Sequence, residues 1–87
     1  MPEESPLSFP CAFPVKIMGE ADAELERSIL EIVVRHAPDY DASTLETRAS
    51  SGGKYLSLTC TINALSRSQL DGLYRELSSH PRVKVVL

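Results

Sequence analysis

The sequence predicts an α+β protein in which two helices cover one face of a four-stranded antiparallel sheet. Three observations predict this class. Apolar and polar residues alternate through residues 55–63, which is typical of a strand with one buried face. Two longer segments, 22–37 and 66–80, repeat apolar residues at helical spacing. The predicted elements also follow one another in the order strand, helix, strand, strand, helix, strand.

The chain begins with a segment that offers little to a core. Residues 1–10 contain three prolines and two glutamates, so we expect a mobile tail there and a single domain over residues 11–87. The first strand is predicted over residues 12–18, where Phe13, Val15 and Ile17 alternate with polar or proline positions. Gly19 is expected to end this strand.

The first helix is predicted over residues 22–37. Asp22 is a suitable N-cap, and Pro38 prevents continuation of the helix. Polar residues occupy the opposite face, and the core face carries Leu25, Ile29, Ile32, Val33 and Ala37.

The next two strands are predicted over residues 44–50 and 55–63, joined through SSGGK. A two-residue turn at Gly52 and Gly53 would place Ser51 opposite Lys54. The same register pairs Ala49 with Leu56, Thr47 with Leu58 and Leu45 with Cys60, so that every inward residue meets another inward residue. The glycines are then explained by the positive φ that a type I′ turn requires.

A second helix begins at Ser66, because Ser66 and Gln69 have the spacing of a capping box. Pro81 ends this helix. In the last strand, Val83, Val85 and Leu87 are predicted to face inward and Val86 outward.

This order of elements is the βαββαβ pattern of a ferredoxin-like sandwich, with an antiparallel sheet in strand order 4-1-3-2. The topology places the end of strand 1, the start of helix 1, the hairpin and His80 at one end of the sheet, and His36 at the other. A two-histidine metal site is therefore excluded. Ligand-binding candidates at the shared end are Gly19, Asp22, Ser51, Gly52, Gly53 and Lys54.

The hairpin leaves two interpretations open, a solvated turn or a weak anion site. A nucleotide-binding P-loop is excluded, since a strand follows the glycines where such a loop leads into a helix. An anion would meet the hairpin amides and Lys54, but Glu20, Asp22 and Glu24 would repel it.

Composition narrows the function classes. Nine Lys and Arg against twelve Asp and Glu give a net charge of −3, which argues against a broad nucleic-acid surface. No signal peptide or membrane span is evident, so a cytoplasmic protein without a membrane partner is expected.

Cys11 and Cys60 are predicted to be reduced thiols, and no metal or other cofactor is indicated. Glu31, Glu46, Asp71 and Glu76 look isolated, so no catalytic residue is predicted.

The uncovered face of the sheet suggests an alternative function. Its residues include Lys16, Arg48 and Tyr55, and sandwiches of this topology bind RNA by stacking bases on aromatic residues. Only Tyr55 is available for stacking, which makes RNA binding the alternative rather than the leading interpretation. A homodimer across this face or along an edge strand also fits.

Several stretches together, FPVKIMG, VVRHAP, SSGGKYLSLTCTINA, LYREL and VKVVL, resemble the YbeD-like family of small bacterial proteins of unknown function. The resemblance implies a ferredoxin-like fold similar to the ACT regulatory domains, which bind small effectors near the loop after the first strand. Gly19 and Asp22 match that loop in kind. The resemblance carries no catalytic residues. The leading hypothesis is thus a non-enzymatic, ACT-like regulatory or interaction module that binds a small metabolite or a protein partner.

Overall fold

The computed structural model describes residues 8–50 and 52–87. The elements are β1 (Cys11–Glu20), α1 (Ala23–His36), β2 (Glu46–Ala49), β3 (Tyr55–Ala64), α2 (Arg67–Ser79) and β4 (Val83–Val86). A short 3₁₀ turn, Ala42–Thr44, precedes β2. The four strands form a single antiparallel sheet in the order β2-β3-β1-β4, which confirms the predicted ferredoxin-like topology.

One hydrophobic core lies between the sheet and the two helices. The five residues predicted for the inner face of α1 are all buried, as are Leu70, Leu73 and Leu77 of α2. The strands contribute the alternate residues of β1 and β3, as their apolar periodicity predicts. The buried strand residues are Val15, Ile17, Leu58, Cys60, Ile62 and Ala64.

The first strand is longer than predicted at both ends. The predicted tail lies mostly outside the described residues, but Phe9 is described and packs partly buried against the core. Lys16 exchanges two backbone hydrogen bonds with Leu87, at 3.2 and 2.7 Å. The nitrogen of Pro14, two residues earlier, faces the same edge of the sheet. No strand of the described residues pairs with Pro14 there, so its missing N–H is tolerated.

The expectation that Gly19 ends β1 is wrong. Gly19 lies within the strand, opposite Leu56 on one side and Val83 on the other, with a bulge between Met18 and Gly19. A Cβ at this position would lie 2.5 Å from the carbonyl oxygen of Arg82 and 3.0 Å from the Leu25 side chain. The strand therefore needs glycine here for close packing.

The bulge also reverses the predicted orientation of the end of β4. Val86 pairs with Ile17 and packs against the core, whereas Val85 pairs with Met18 and is 42% exposed on the open face. Strict alternation predicted the opposite arrangement. One irregular position in a ladder shifts every later residue to the other face, and this shift explains the error.

The hairpin has the predicted register, with Ala49 opposite Leu56 and Thr47 opposite Leu58. Both glycines have positive φ angles, 89° at Gly52 and 70° at Gly53. The turn itself differs from the prediction, because the N–H of Gly53 donates to the carbonyl of Ser50 at 2.9 Å, one residue earlier than a Gly52–Gly53 centre requires. Ser51 lies outside the described residues.

The start of α2 is fixed by the predicted capping pair. The N–H of Gln69 donates to Ser66 Oγ at 3.1 Å. The Gln69 side chain accepts from the N–H of Leu65 at 2.6 Å and donates from Nε2 to the carbonyl of His36 at 2.9 Å. This residue therefore links the first turn of α2 to the last turn of α1.

Candidate functional site

The start of α1, the hairpin and the exit of α2 meet at one end of the molecule, as predicted. The N–H of Ala21 donates to the carbonyl of Lys54 at 2.9 Å, and the N–H of Glu20 donates to the carbonyl of Arg82 at 3.2 Å. His80 is the C-cap of α2, and its Nδ1 accepts from the N–H of Arg82 at 3.1 Å. Backbone hydrogen bonds therefore fix the relative positions of these three segments.

Two of the six predicted ligand-binding residues have structural roles here. Asp22 caps α1, since its Oδ1 accepts from the N–H of Glu24 at 2.7 Å. Its second oxygen, Oδ2, accepts from Arg82 Nη1 at 2.6 Å. Gly19 is buried beneath Leu25 and the Arg82 carbonyl. Each carboxylate oxygen of Asp22 thus already accepts one hydrogen bond, and Gly19 presents no surface to a ligand.

The other predicted residues lie on the hairpin. Gly52, Gly53 and Lys54 are exposed, and Ser51 is outside the described residues. A ligand-binding role for the hairpin stays a prediction. Its N–H and ammonium groups do lie at the same end as the start of α1, because Lys54 is hydrogen bonded to Ala21 through the backbone.

A groove begins at this end and follows the outer side of α1 along most of the helix. Its volume is about 1090 Å³. We refer to it as the α1 groove. Five of its lining residues are apolar and five are charged, a mixed lining that is typical of binding surfaces. We call the apolar lining residues the floor and the charged ones the rim: the floor is Ala21, Ala23, Leu30, Val34 and Leu56, and the rim is Asp22, Glu26, Arg27, Glu31 and Arg35.

Two features show that this apolar surface is incompletely covered. Val34 is 42% exposed although it lies on a helix beside the core. All four residues of β2 are exposed, including Ala49 and Thr47, which pair with Leu56 and the buried Leu58. The described helices therefore leave this edge of the sheet bare where it borders the groove.

Sequence reasoning missed the α1 groove. The signal was present, since Leu30 and Val34 are apolar residues four positions apart that fall outside the predicted core stripe of the helix. Whether such residues are covered depends on the elements that pack beside the helix. The periodicity of a single helix does not report this packing.

The open face of the sheet carries a second, smaller depression of about 330 Å³. Its lining is almost wholly polar and includes Lys16, Arg48 and Glu46. Tyr55 lies on the same sheet at the hairpin end and is 39% exposed. The depression therefore differs from the α1 groove in lacking an apolar floor.

Titratable groups elsewhere are engaged in structure. Glu76, which the sequence suggested is isolated, instead accepts from Arg35 and lies 2.7 Å from His36 Nε2. Burial raises the pKa of the Cys60 thiol, which keeps it protonated and unreactive.

Within residues 8–50 and 52–87, no group of three or more His, Cys, Asp or Glu is placed to hold a metal ion. None of the helices described here is long and apolar enough to cross a membrane.

Sequence similarity identifies the family of this chain. A family model described as a protein of unknown function, DUF493, matches residues 4–87. The chain belongs to the DUF493 family. A UPF0250 protein of Nitrosomonas europaea is 54% identical over 87 residues, covering 100% of both chains. Relatives with the same description occur in Janthinobacterium, 51% identical over 99% of this chain and 94% of theirs, and in Paraburkholderia phytofirmans, 52% identical over 97% and 94%.

Membership of DUF493 confirms the resemblance to the YbeD-like proteins. The matches cover between 94% and 100% of the length of these relatives. Their descriptions give a family and no activity. The function must therefore be argued from the surfaces of the fold.

Proposed function

We propose that this protein is a non-enzymatic, ACT-like regulatory or interaction module, and that the α1 groove is its binding surface. The observation that carries the proposal is the apolar floor of the groove, where Val34 is exposed and Leu30 and Leu56 are half-buried. Contiguous apolar surface rimmed by charge is typical of a site that binds a protein or a small molecule.

The chemistry of the groove supports binding rather than catalysis. Its rim contains carboxylates and guanidinium groups, with no histidine, cysteine, serine or lysine among the lining residues. The lining residues therefore supply no serine or cysteine nucleophile paired with a histidine base. A cytoplasmic location is part of the proposal, and the free thiols of Cys11 and Cys60 support a reducing compartment.

RNA binding on the open face is the competing interpretation. Tyr55 offers one stacking surface beside Lys16 and Arg48, but the overall charge is −3. RNA recognition on such sheets uses two or three aromatic residues. The groove has a larger apolar surface and therefore supports the leading proposal better.

The proposal is tested with Val34→Glu, which puts a charge on the groove floor. Ser78→Glu is the matched control, because Ser78 is an exposed residue of the other helix. Both variants should keep their folded circular dichroism spectrum. Tagged wild-type protein and both variants are used to capture proteins from the source bacterium, and are titrated calorimetrically with free amino acids.

We expect any bound protein or metabolite to be lost with Val34→Glu and retained with Ser78→Glu. Binding that is equally strong in both variants would remove the groove from consideration. In parallel, RNA oligomers are titrated against wild-type protein and Tyr55→Ala. RNA binding that falls steeply with salt and disappears in Tyr55→Ala would favour the open face and overturn the proposal.

A further inference from the structure

The rim of the α1 groove has a charge pattern that is complementary to itself. Arg27 and Glu31 are one helical turn apart on the outer side of α1. Ion pairs among the described residues involve neither of them. Together with Glu26 and Arg35, which also pairs with Glu76, the α1 part of the rim has two positive and two negative charges, so a strongly acidic or basic partner gains no net attraction there.

We propose that the occupant of the groove is a second copy of this chain, with the two α1 helices packed antiparallel about a two-fold axis. A two-fold axis that passes beside α1, at the level midway between Arg27 and Glu31, reverses the order of these residues in the second helix. Arg27 of each copy then faces Glu31 of the other, and two equivalent ion pairs form. A closed, two-fold interface of this kind uses the same patch on both copies.

The apolar residues of the groove fit the same axis. Leu30 lies next to the midpoint, so the Leu30 side chains of the two copies meet each other. Val34 lies about one turn further on and packs over Ala23 of the other helix, where the small side chain leaves room for it. Leucine at the centre, valine over alanine and charge at the side form a consistent antiparallel helix pair.

The inference rests on the proposed function, since it names the partner of the groove. Its first test is the molecular mass of the full chain by sedimentation equilibrium, at concentrations up to roughly 1 mM because exposed ion pairs are weak. We expect a reversible dimer. A wild-type chain that stays monomeric throughout this range would overturn the inference.

The decisive test reverses the two charges separately. R27E alone and E31R alone each place like charges face to face, and each should weaken the dimer about tenfold or more. An equimolar mixture of R27E and E31R chains should form a heterodimer, because every facing pair is then opposite in charge. The double variant R27E/E31R should recover the wild-type affinity. R75E, on the exposed side of α2, is the control and should leave the dimer unchanged.

A dimer that is insensitive to the single reversals, or that the mixture fails to restore, would place the contact elsewhere and overturn the inference. Circular dichroism of each variant shows that loss of the dimer is not loss of the fold. A monomeric wild type that still binds a protein or metabolite through Val34 would overturn this inference while leaving the proposed function intact.

Discussion

The two helices pack on the same face of the sheet, yet their outer surfaces differ. The exposed residues of α2 are all polar or charged, namely Arg67, Ser68, Asp71, Arg75, Ser78 and Ser79. The outer side of α1 instead presents Val34 and the groove floor between charged residues. The exposed side chains of α2 are thus typical of a solvated surface, whereas those of α1 include an apolar residue among the charged ones.

The helices are also anchored differently. α1 depends on its buried apolar face and on a close approach to β1 at Gly19. The first turn of α2 is attached to the end of α1 by the side chain of Gln69. α1 is thus held by packing of its inner face, and the start of α2 is held by hydrogen bonds of one side chain. Three substitutions test this division of roles.

The largest effect is expected from the inner face of α1. Ile29 is fully buried, so Ile29→Ala should lower the free energy of unfolding by about 3 kcal/mol through lost burial and the cavity that remains. Val34→Ala on the outer side should change it by less than about 0.5 kcal/mol. Urea unfolding followed by circular dichroism measures both values. Similar losses for the two variants would contradict the distinction between the faces of α1.

A smaller loss is expected from Gly19→Ala. The new methyl group would lie 2.5 Å from a backbone oxygen, which is unable to move away as a flexible side chain does. We expect a loss of about 2 kcal/mol. Gly53→Ala is the control, because that position has open space and costs only about 1 kcal/mol for its φ of 70°. A Gly19→Ala protein as stable as wild type would show that the Arg82 carbonyl does not approach β1 closely there.

The smallest of the three effects concerns the anchor of α2. Gln69→Ala removes the acceptor for the N–H of Leu65 and the donor to the carbonyl of His36, and should cost about 1 kcal/mol. Ser68→Ala, at the exposed neighbouring position, should cost less than about 0.5 kcal/mol. Thermal unfolding of both variants provides the comparison. Equal melting temperatures would mean that Gln69 contributes nothing to the attachment of α2.

Most of the fold was predictable because its signals are local. Alternation defined β3, helical spacing defined the inner face of α1, and the caps at Asp22 and Ser66 lie where their spacing predicts them. The hairpin register was predictable because paired residues such as Ala49 and Leu56 must lie on the same face of the sheet. These features depend on residues close together in the chain, or on the strict alternation of side chains between the two faces of a strand.

The errors concern features that depend on distant residues. The bulge at Gly19 lies in its pairing with β4, which is more than 60 residues later in the chain, and it exchanges the faces of the sheet on which Val85 and Val86 lie. Glu76 looked isolated because its partners, Arg35 and His36, are on the other helix. The α1 groove likewise brings Leu56 of β3 beside α1 residues that lie more than 20 positions earlier in the chain. The positions of Gly19 and Asp22 in the chain were correct, but their packing roles follow only from the assembled structure.

Cys60 gives the protein an internal reporter of its own opening. Its side chain is fully buried in the central strand β3, and burial raises the pKa of its thiol. An alkylating reagent in native buffer should therefore modify Cys60 only in molecules whose sheet has separated from the helices. Cys11, which is partly exposed on β1, supplies a reference thiol in the same chain. The ratio of the two labelling rates, followed by mass spectrometry, would report how often the core opens without any denaturant.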